Sequence, residues 1–212
     1  GLEWIRVSYL QPAEIRPSML HALLHSDKVV PYFDLSFQHA APGLLRRMRR
    51  FGDPDSFLAL IEQIRHYAPR AGIRSNCIAG FPGETEADVE LLKQFIIDAE
   101  LDVMGVFGYS DEEGTEGATL DGHLDEQTIE QRRAMLADVA LEVSEHRAAE
   151  RIGEPLRVLV ESNEDGQAVG RAEHQGPETD GVVILDDEYP VGTFVDAVAV
   201  DAEGIDLIAE AS

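Results

Sequence analysis

Two glycines and a proline follow an apolar stretch at residues 80–84, and this turn is the segment best suited to hold a ligand. Gly80 and Gly83 let the backbone approach a flat or anionic ligand without an intervening side chain, and Pro82 stiffens the turn. Thr85 then begins a helix as its N-cap, and Asp88 completes a capping box. An ordinary tight strand-to-helix turn has the same composition, so the residues leave both interpretations open.

Polar and aromatic side chains lie at other predicted strand ends, where α/β proteins place their ligands. Gln38 and His39 follow an apolar strand and offer hydrogen bonds to a ribose or a carboxylate, although His39 suits a core or capping position equally well. Phe107 and Tyr109 end a later strand, where an aromatic ring stacks on an adenine or caps the core. Arg74, at the start of the strand leading into the glycine turn, binds a carboxylate or pairs with a neighbouring acid.

Several other chemistries have little support. Cys77 is the only cysteine, which excludes an intramolecular disulfide and any multi-cysteine metal or cluster site built from this chain alone. Its position beside Ile78 in a strand favours a buried structural thiol over a nucleophile. The seven histidines lack metal-ligand spacing, and no opposed carboxylate pair suits glycoside hydrolysis. The basic run at residues 46–50 indicates a solvated helix end rather than a phosphate site.

The first 152 residues alternate strand-like and helix-like segments, which predicts βα units and a parallel sheet. Four such units do not close a barrel, so we expect part of a (βα) barrel or an open sheet. The predicted strands are Trp4–Tyr9, Phe33–Phe37, Ile73–Ala79 and Val103–Tyr109, and the predicted helices are Pro17–His25, Pro42–Arg49, Pro54–Tyr67, Glu86–Ala99 and Glu126–Arg151.

Residues 153–212 change to short strands separated by turn sequences, which predicts a second, all-β domain. Five strands in this length suit a small OB-like β-barrel. They are Leu156–Glu161, Gln167–Glu173, Gly181–Leu185, Phe194–Val200 and Ile205–Ala209.

The chain carries a formal net charge of −24, and the charge is concentrated in its last part. Residues 153–212 contain 15 acidic residues and only two arginines, a net of −13. Such a surface repels phosphate backbones and attracts basic partners, although a merely soluble acidic surface has the same composition. No stretch approaches the roughly 18–20 apolar residues of a membrane span and no secretion signal is evident, so we expect a cytoplasmic protein without membrane contact.

Four motifs in order resemble the carboxyl-terminal portion of the radical S-adenosylmethionine methylthiotransferases. Segments 4–12 and 32–40 are similar to the third and fourth barrel strands of that family, where proline is usual at the position of Ser36. Residues 74–85 are similar to its fifth strand and turn, and Tyr109-Ser110 with Glu113-Gly114-Thr115 to its sixth. Residues 153–212 resemble the TRAM module, a small OB-like barrel. The resemblance spans the chain.

The resemblance implies a reaction that uses S-adenosylmethionine and two four-iron four-sulfur clusters. One cluster cleaves S-adenosylmethionine to a deoxyadenosyl radical, and the second supplies the methylthio group. By analogy, the turn passes along the adenine, aromatic residues bound that end of the pocket, and polar residues contact the ribose and methionine. The implied cofactor-binding residues are Ile78, Gly80, Phe81, Pro82, Gly83 and Glu84 for the turn, Phe107 and Tyr109 for the aromatic end, and Gln38, His39 and Arg74 for the polar contacts.

The cysteines that hold both clusters in this family have no counterpart here, so the cluster ligands are expected outside this chain. We therefore expect a truncated enzyme that is inactive alone, in which the two missing barrel strands leave an exposed sheet edge.

Charge distinguishes the two branches of this family. One branch modifies an adenosine in transfer RNA and needs cations for the phosphate backbone, whereas the other modifies an aspartate of the basic twelfth small-subunit ribosomal protein. The net charge of −13 in the TRAM-like module favours the ribosomal protein and makes RNA binding unfavourable. The alternatives are a transfer-RNA methylthiotransferase and a non-catalytic acidic protein-binding remnant, and the sequence indicates no oligomeric state.

Overall fold

A computed structural model describes residues 1–212, in which an α/β part is followed by a small barrel. The α/β part contains β1 (Ile5–Leu10), α1 (Pro17–Leu24), β2 (Val29–Gln38), α2 (Pro42–Arg47), α3 (Pro54–Tyr67), β3 (Gly72–Ala79), α4 (Glu86–Ala99), β4 (Val103–Gly108) and α5 (Glu126–Glu150). The barrel contains β5 (Pro155–Glu164), β6 (Gln167–Arg171), β7 (Val183–Leu185), β8 (Phe194–Glu203) and β9 (Asp206–Ala211). No helix is long and apolar enough to cross a lipid bilayer.

Strands β1 to β4 form one parallel sheet in the order of the sequence. This is the arrangement that successive βα units produce, and it confirms the expected partial (βα) barrel. Because the four strands do not close, β1 and β4 are edge strands of the sheet. We call the ends of β2, β3 and β4 that precede α2, α4 and α5 the carboxyl edge.

The outer face of the sheet packs against the helices and forms the larger core. On β3 this face carries alternate residues, among them Ile73 and Cys77, which are fully buried. Phe37 packs between Phe57 and Phe95, with ring centroids 4.5 and 5.3 Å away. Burial raises the pKa of the Cys77 thiol to about 12, which confirms the expected inert structural cysteine.

The inner face of the sheet is less buried, because no second half of a barrel covers it in this chain. Asn76 and Ile78 on β3 lie on this face, beside Gly105 and Phe107 of β4 in the strand register. Phe107 leaves 57% of its surface exposed. The inner face therefore presents apolar surface in the region where the sequence predicts a ligand.

The second domain is a closed barrel with the strand order β5-β6-β7-β9-β8. Its core consists mainly of alanine, valine and leucine, which fit the narrow interior of a five-stranded barrel. All five predicted strands are present, although β7 is shorter than predicted and begins at Val183. The predicted OB-like module is therefore confirmed as a barrel.

The barrel packs against the amino-terminal ends of β1, β2 and β3. Trp4, just before β1, contacts Phe194 of β8 edge to face, with ring centroids 4.7 Å apart. At Gly72, the first residue of β3, an added Cβ would overlap the carbonyl oxygen of His174. At this seam, glycine is required because two backbones approach closely.

Helix α5 ends at the same seam, where Arg151 is almost fully buried. Its guanidinium pairs with Asp102 and Glu154 and donates to the carbonyl oxygens of Arg70 and Ala71. The helix ends at Glu150 and β5 begins at Pro155, so the predicted domain boundary at residue 152 falls in the connection between them.

His174 lies in this seam in a positively charged environment. Burial, together with nearby guanidinium groups, lowers the pKa of the imidazole well below its ordinary value. The charged residues near His174 or lining the adjoining cavity are Arg151, Arg6, Arg147, Arg70, Arg157, Glu154 and Glu173.

We predict that His174 makes the protein less stable as pH falls below about 6.5, the pKa of an exposed histidine. The unfolded chain binds a proton there that the folded chain excludes, so the free energy of unfolding decreases by up to about 1.4 kcal/mol per pH unit. Urea unfolding monitored by Trp4 fluorescence between pH 7.5 and 5.5 measures this decrease. His174→Gln should flatten the decrease, whereas His66→Gln, at an exposed position, should not; equal slopes for both variants would contradict the prediction.

Candidate functional site

The carboxyl edge brings several of the predicted site residues together. Gln38 is opposite Cys77 in the register of β2 and β3, and Ile78 is opposite Phe107 in that of β3 and β4. The glycine turn follows β3 directly, so it lies between the end of β2 and the end of β4. Gln38 has a φ of 68°, a left-handed conformation that only a constrained non-glycine residue maintains.

The glycines of the turn are required by its internal packing. Gly80 and Gly83 have φ values of +79° and +89°, which favour glycine. An added Cβ at Gly80 would lie 2.6 Å from the side chain of Ile129, and one at Gly83 would lie 3.2 Å from Arg47. A neighbouring side chain therefore fills the space in which a Cβ would lie at each glycine, although the backbone of Gly83 stays exposed.

Residues distant in sequence also hold the turn from outside. The backbone N–H of Gly83 donates to the carbonyl oxygen of Gly122 at 2.8 Å. Arg47 donates from Nε to the carbonyl oxygen of Pro82 at 3.1 Å and from Nη2 to that of Asp121 at 2.7 Å. Hydrogen bonds with α2 and with the segment before α5 thus hold the turn in place.

A buried carboxylate, that of Glu84, organises the inside of the turn. Its Oε2 atom accepts hydrogen bonds from the N–H of Gly80 and from Nη1 of Arg132, both at 2.9 Å. Its Oε1 atom lies 3.2 Å from Nε2 of His39. The N–H of Ala41 donates to Nδ1 of His39 at 2.9 Å, so the imidazole carries its proton on Nε2 and donates it to Glu84. We call Glu84, His39, Arg132 and the N–H of Gly80 the Glu84 network.

Burial changes the role expected for two of the predicted cofactor contacts. The side chains of His39 and Glu84 have no exposed surface, and each is the other's partner. We therefore interpret both as residues that position the turn, in place of the direct ligand contact expected from the sequence. Arg132, which completes the network from α5, was missed by sequence reasoning because it lies 48 residues from Glu84 in an otherwise ordinary helix.

The remaining turn residues are mostly covered. Phe81 packs against Ala41 and Leu44, and its ring contacts that of Tyr109 edge to face at 5.2 Å. Pro82 is also buried. The surface left open to a ligand at the carboxyl edge is that of Gln38, Ile78, Gly83, Phe107 and Tyr109.

Arg74 does not lie at the carboxyl edge. It lies five residues before the end of β3, where its Nε atom is 3.7 Å from a carboxylate oxygen of Asp180 in the barrel domain. The sequence left open whether Arg74 binds a ligand carboxylate or pairs with a neighbouring acid. The structure shows a pair with an acid, Asp180, which belongs to the barrel domain.

A polar cluster beyond β4 extends the site. Asp111 accepts hydrogen bonds from the Tyr109 hydroxyl at 2.8 Å and from His123 Nε2 at 3.0 Å. The hydrogen bond from Tyr109, followed by the His123 contact, lowers the pKa of Asp111, while burial and Asp111 raise the pKa of Tyr109 to about 12. The cluster borders a cleft of about 720 Å³ between β4 and the start of α5. Sequence reasoning missed His123, which follows no recognisable motif.

The exposed residues of the carboxyl edge fit an adenine-containing cofactor, since Phe107 offers an open aromatic ring beside Ile78. They do not fit an iron–sulfur cluster. The only thiol, that of Cys77, lies on the buried outer face of β3, and no group of three potential metal ligands is present.

Comparison with known proteins finds relatives that match both domains. Residues 152–211 match the TRAM domain family. The chain is 59% identical to a protein of Cutibacterium acnes named ribosomal protein uS12 methylthiotransferase RimO, over 99% of this chain and 44% of that protein. Proteins of the same name from Streptomyces griseus and Nocardioides are each 57% identical, over 99% and 98% of this chain respectively and 44% of each relative. The chain therefore spans about 44% of the length of the curated relatives it matches.

A solved structure is similar in fold. Coproporphyrinogen III oxidase from Escherichia coli, a radical SAM enzyme, aligns with a TM-score of 0.54 and 15% identity, over 80% of this chain and 44% of that enzyme. At this identity the likeness concerns the fold alone. The family resemblance drawn from the sequence motifs and the expected fold class are both confirmed.

We predict that Glu84→Gln lowers the free energy of unfolding by about 3–5 kcal/mol, because it leaves the buried Arg132 without its internal carboxylate. Glu86→Gln is the matched control, since Glu86 pairs with the same guanidinium but is 85% exposed and should contribute less than about 1 kcal/mol. Chemical denaturation measures both. Similar losses for the two variants would show that the Glu84 network does not hold the turn.

Proposed function

We propose that this chain, related along almost its whole length to proteins named uS12 methylthiotransferase, is part of a radical S-adenosylmethionine enzyme that methylthiolates an aspartate β-carbon of ribosomal protein uS12. The observation that carries this proposal is the 59% identity, which extends over 99% of the chain and therefore includes both domains. The partial barrel and the attached TRAM domain agree with the architecture that the family resemblance implies. We place the reaction in the cytoplasm.

S-adenosylmethionine is the proposed ligand of the carboxyl edge, and with an iron–sulfur cluster it supplies radical chemistry that removes hydrogen from an unactivated carbon. Phe107 and Ile78 would cover the face of the adenine, and Tyr109 would limit that end of the pocket. Gln38, at the end of β2, would hydrogen-bond the ribose or the methionine part. Both clusters are proposed to be held by residues outside this chain, since its one cysteine is buried in the core.

The rest of the site holds these groups in place. The Glu84 network joins the end of β2, the turn after β3 and the first turns of α5. A radical reaction at an unactivated carbon depends on positioning more than on a titrating acid–base pair, so a rigid turn is the contribution expected of this part of the chain.

Charge supports a protein substrate rather than RNA. The barrel domain has 15 acidic residues and two arginines, and both arginines are engaged within the chain. Arg171 pairs with Glu161, and Arg157 stacks over the ring of Phe194 at 4.2 Å. Neutralising an RNA backbone requires several exposed cations, whereas a basic ribosomal protein is attracted by this surface.

We predict that the whole protein, supplied anaerobically with reductant, sulfide and S-adenosylmethionine, adds a methylthio group to an aspartate of uS12 and leaves transfer RNA unmodified. Mass spectrometry of both substrates measures this. Modification of a transfer-RNA adenosine without modification of uS12 would favour the other branch of the family. Binding of uS12 with no affinity for S-adenosylmethionine would indicate a non-catalytic binding protein.

We also predict that Phe107→Ala in the whole protein weakens S-adenosylmethionine binding by roughly 5- to 100-fold, because stacking of an aromatic ring on a base contributes about 1–3 kcal/mol. Phe51→Ala is the matched control, since Phe51 is 76% exposed but lies on the outer side of the sheet, beside α3. Titration calorimetry gives both dissociation constants. Equal affinities for the Phe107 variant and the wild type would show that Phe107 does not contact the cofactor. The proposed reaction would be unaffected by that result.

A further inference from the structure

A carboxylate of the barrel domain contacts side chains of two adjacent strands of the α/β part. Asp180, in the segment between β6 and β7, has a side chain that is only 2% exposed. Its Oδ2 atom accepts hydrogen bonds from the Tyr32 hydroxyl at 2.6 Å and from the N–H of Gly176 at 2.8 Å. Its Oδ1 atom accepts one from Thr179 and lies 3.7 Å from Nε of Arg74. Asp180 is therefore shared by the two domains.

The two partners of Asp180 in the α/β part belong to adjacent strands. Tyr32 is opposite Gly72 in the register of β2 and β3, and Arg74 is two residues further along β3, opposite Asp34. Arg74 alternates with the outer-face residues of β3 and therefore lies on the inner face, on the same side as Ile78. The domain contact thus reaches the face of the sheet that carries the candidate site.

Arg74 depends on this carboxylate for its position. Its Nε atom is buried and makes no hydrogen bond, and its Nη2 atom lies 3.5 Å from Asn76. The Tyr32 hydroxyl, which donates to Asp180, also lies beside the guanidinium. Asp180 is the only carboxylate within ion-pair distance of the guanidinium. A partly buried guanidinium without a charged neighbour would move toward solvent, since burial of an unpaired charge is costly.

We propose that Asp180 is a positioning residue through which the TRAM domain fixes the guanidinium of Arg74 on the inner face of the half-barrel. Through this contact the TRAM domain reaches the inner face of the sheet near the amino-terminal ends of β2 and β3. Apart from the long contact to Asn76 and the neighbouring Tyr32 hydroxyl, the Nη groups of Arg74 have no acceptor in the chain, which suits an anionic ligand group such as a carboxylate. This inference does not depend on the reaction proposed above, because both side chains lie within this chain.

The test follows the Arg74 Nε–H signal in the 212-residue chain labelled with ¹⁵N-arginine. Arg74→Lys identifies the signal by its loss. In Asp180→Asn, which keeps the shape and removes the charge, we expect the signal to shift and its exchange with water to accelerate by about 10-fold or more. Asp180→Glu, which restores the charge, should recover most of the shift.

Asp206→Asn is the matched control, because Asp206 is another barrel-domain carboxylate that accepts a backbone hydrogen bond, from Val182 at 2.8 Å. It should leave the Arg74 signal unchanged. Trp4, the only tryptophan, lies at the domain contact, and its fluorescence reports whether the domains stay together. An unchanged Arg74 signal in Asp180→Asn would overturn the proposal.

Tyr32→Phe separates the charge of Asp180 from the hydroxyl that neighbours it. It removes the hydrogen bond from Tyr32 to Asp180, and the hydroxyl beside Arg74, but keeps the carboxylate. If Asp180→Asn releases the barrel domain, retention of the Arg74 signal in Tyr32→Phe still supports the proposal. Equal loss of the signal in Tyr32→Phe and Asp180→Asn would overturn it, since the carboxylate of Asp180 would then not suffice to hold the guanidinium.

Discussion

The buried carboxylate of Glu84 is the constraint on which the candidate site depends. A charged group without solvent must be fully paired, and Glu84 is paired by an imidazole, a guanidinium and a backbone N–H. These partners come from the end of β2, from α5 and from the turn itself. Satisfying one carboxylate therefore sets the relative positions of three elements.

Helix α5 connects the Glu84 network to the barrel domain. It contains 25 residues, which corresponds to about 37 Å, and each of its ends has a buried arginine. Arg132 binds Glu84 at the carboxyl edge, and Arg151 binds Asp102 and Glu154 at the seam with the barrel. The same rigid element therefore joins the candidate cofactor site to the contact with the TRAM domain. Asp180 adds a second connection, which passes through the inner face of the sheet.

Composition sets the character of the surface. Arg74, Arg132, Arg151 and Arg171 each pair with a carboxylate that is distant in the sequence or lies on an adjacent strand. The chain has only 17 lysines and arginines against 41 acidic residues, which gives the net charge of −24. The outer surface is therefore strongly acidic.

The sequence by itself determined the order and type of the elements, the capping box of Thr85 and Asp88, the buried state of Cys77 and the presence of a second small barrel. These features follow from local pattern: hydrophobic periodicity, turn residues and capping residues act over a few positions. Only the tertiary structure decided that His39 and Glu84 support the turn from within, that Arg132 joins them, and that Arg74 faces Asp180. Periodicity indicates which face of a strand is buried, but a buried charge takes its partner from whichever distant element the fold brings within hydrogen-bond distance.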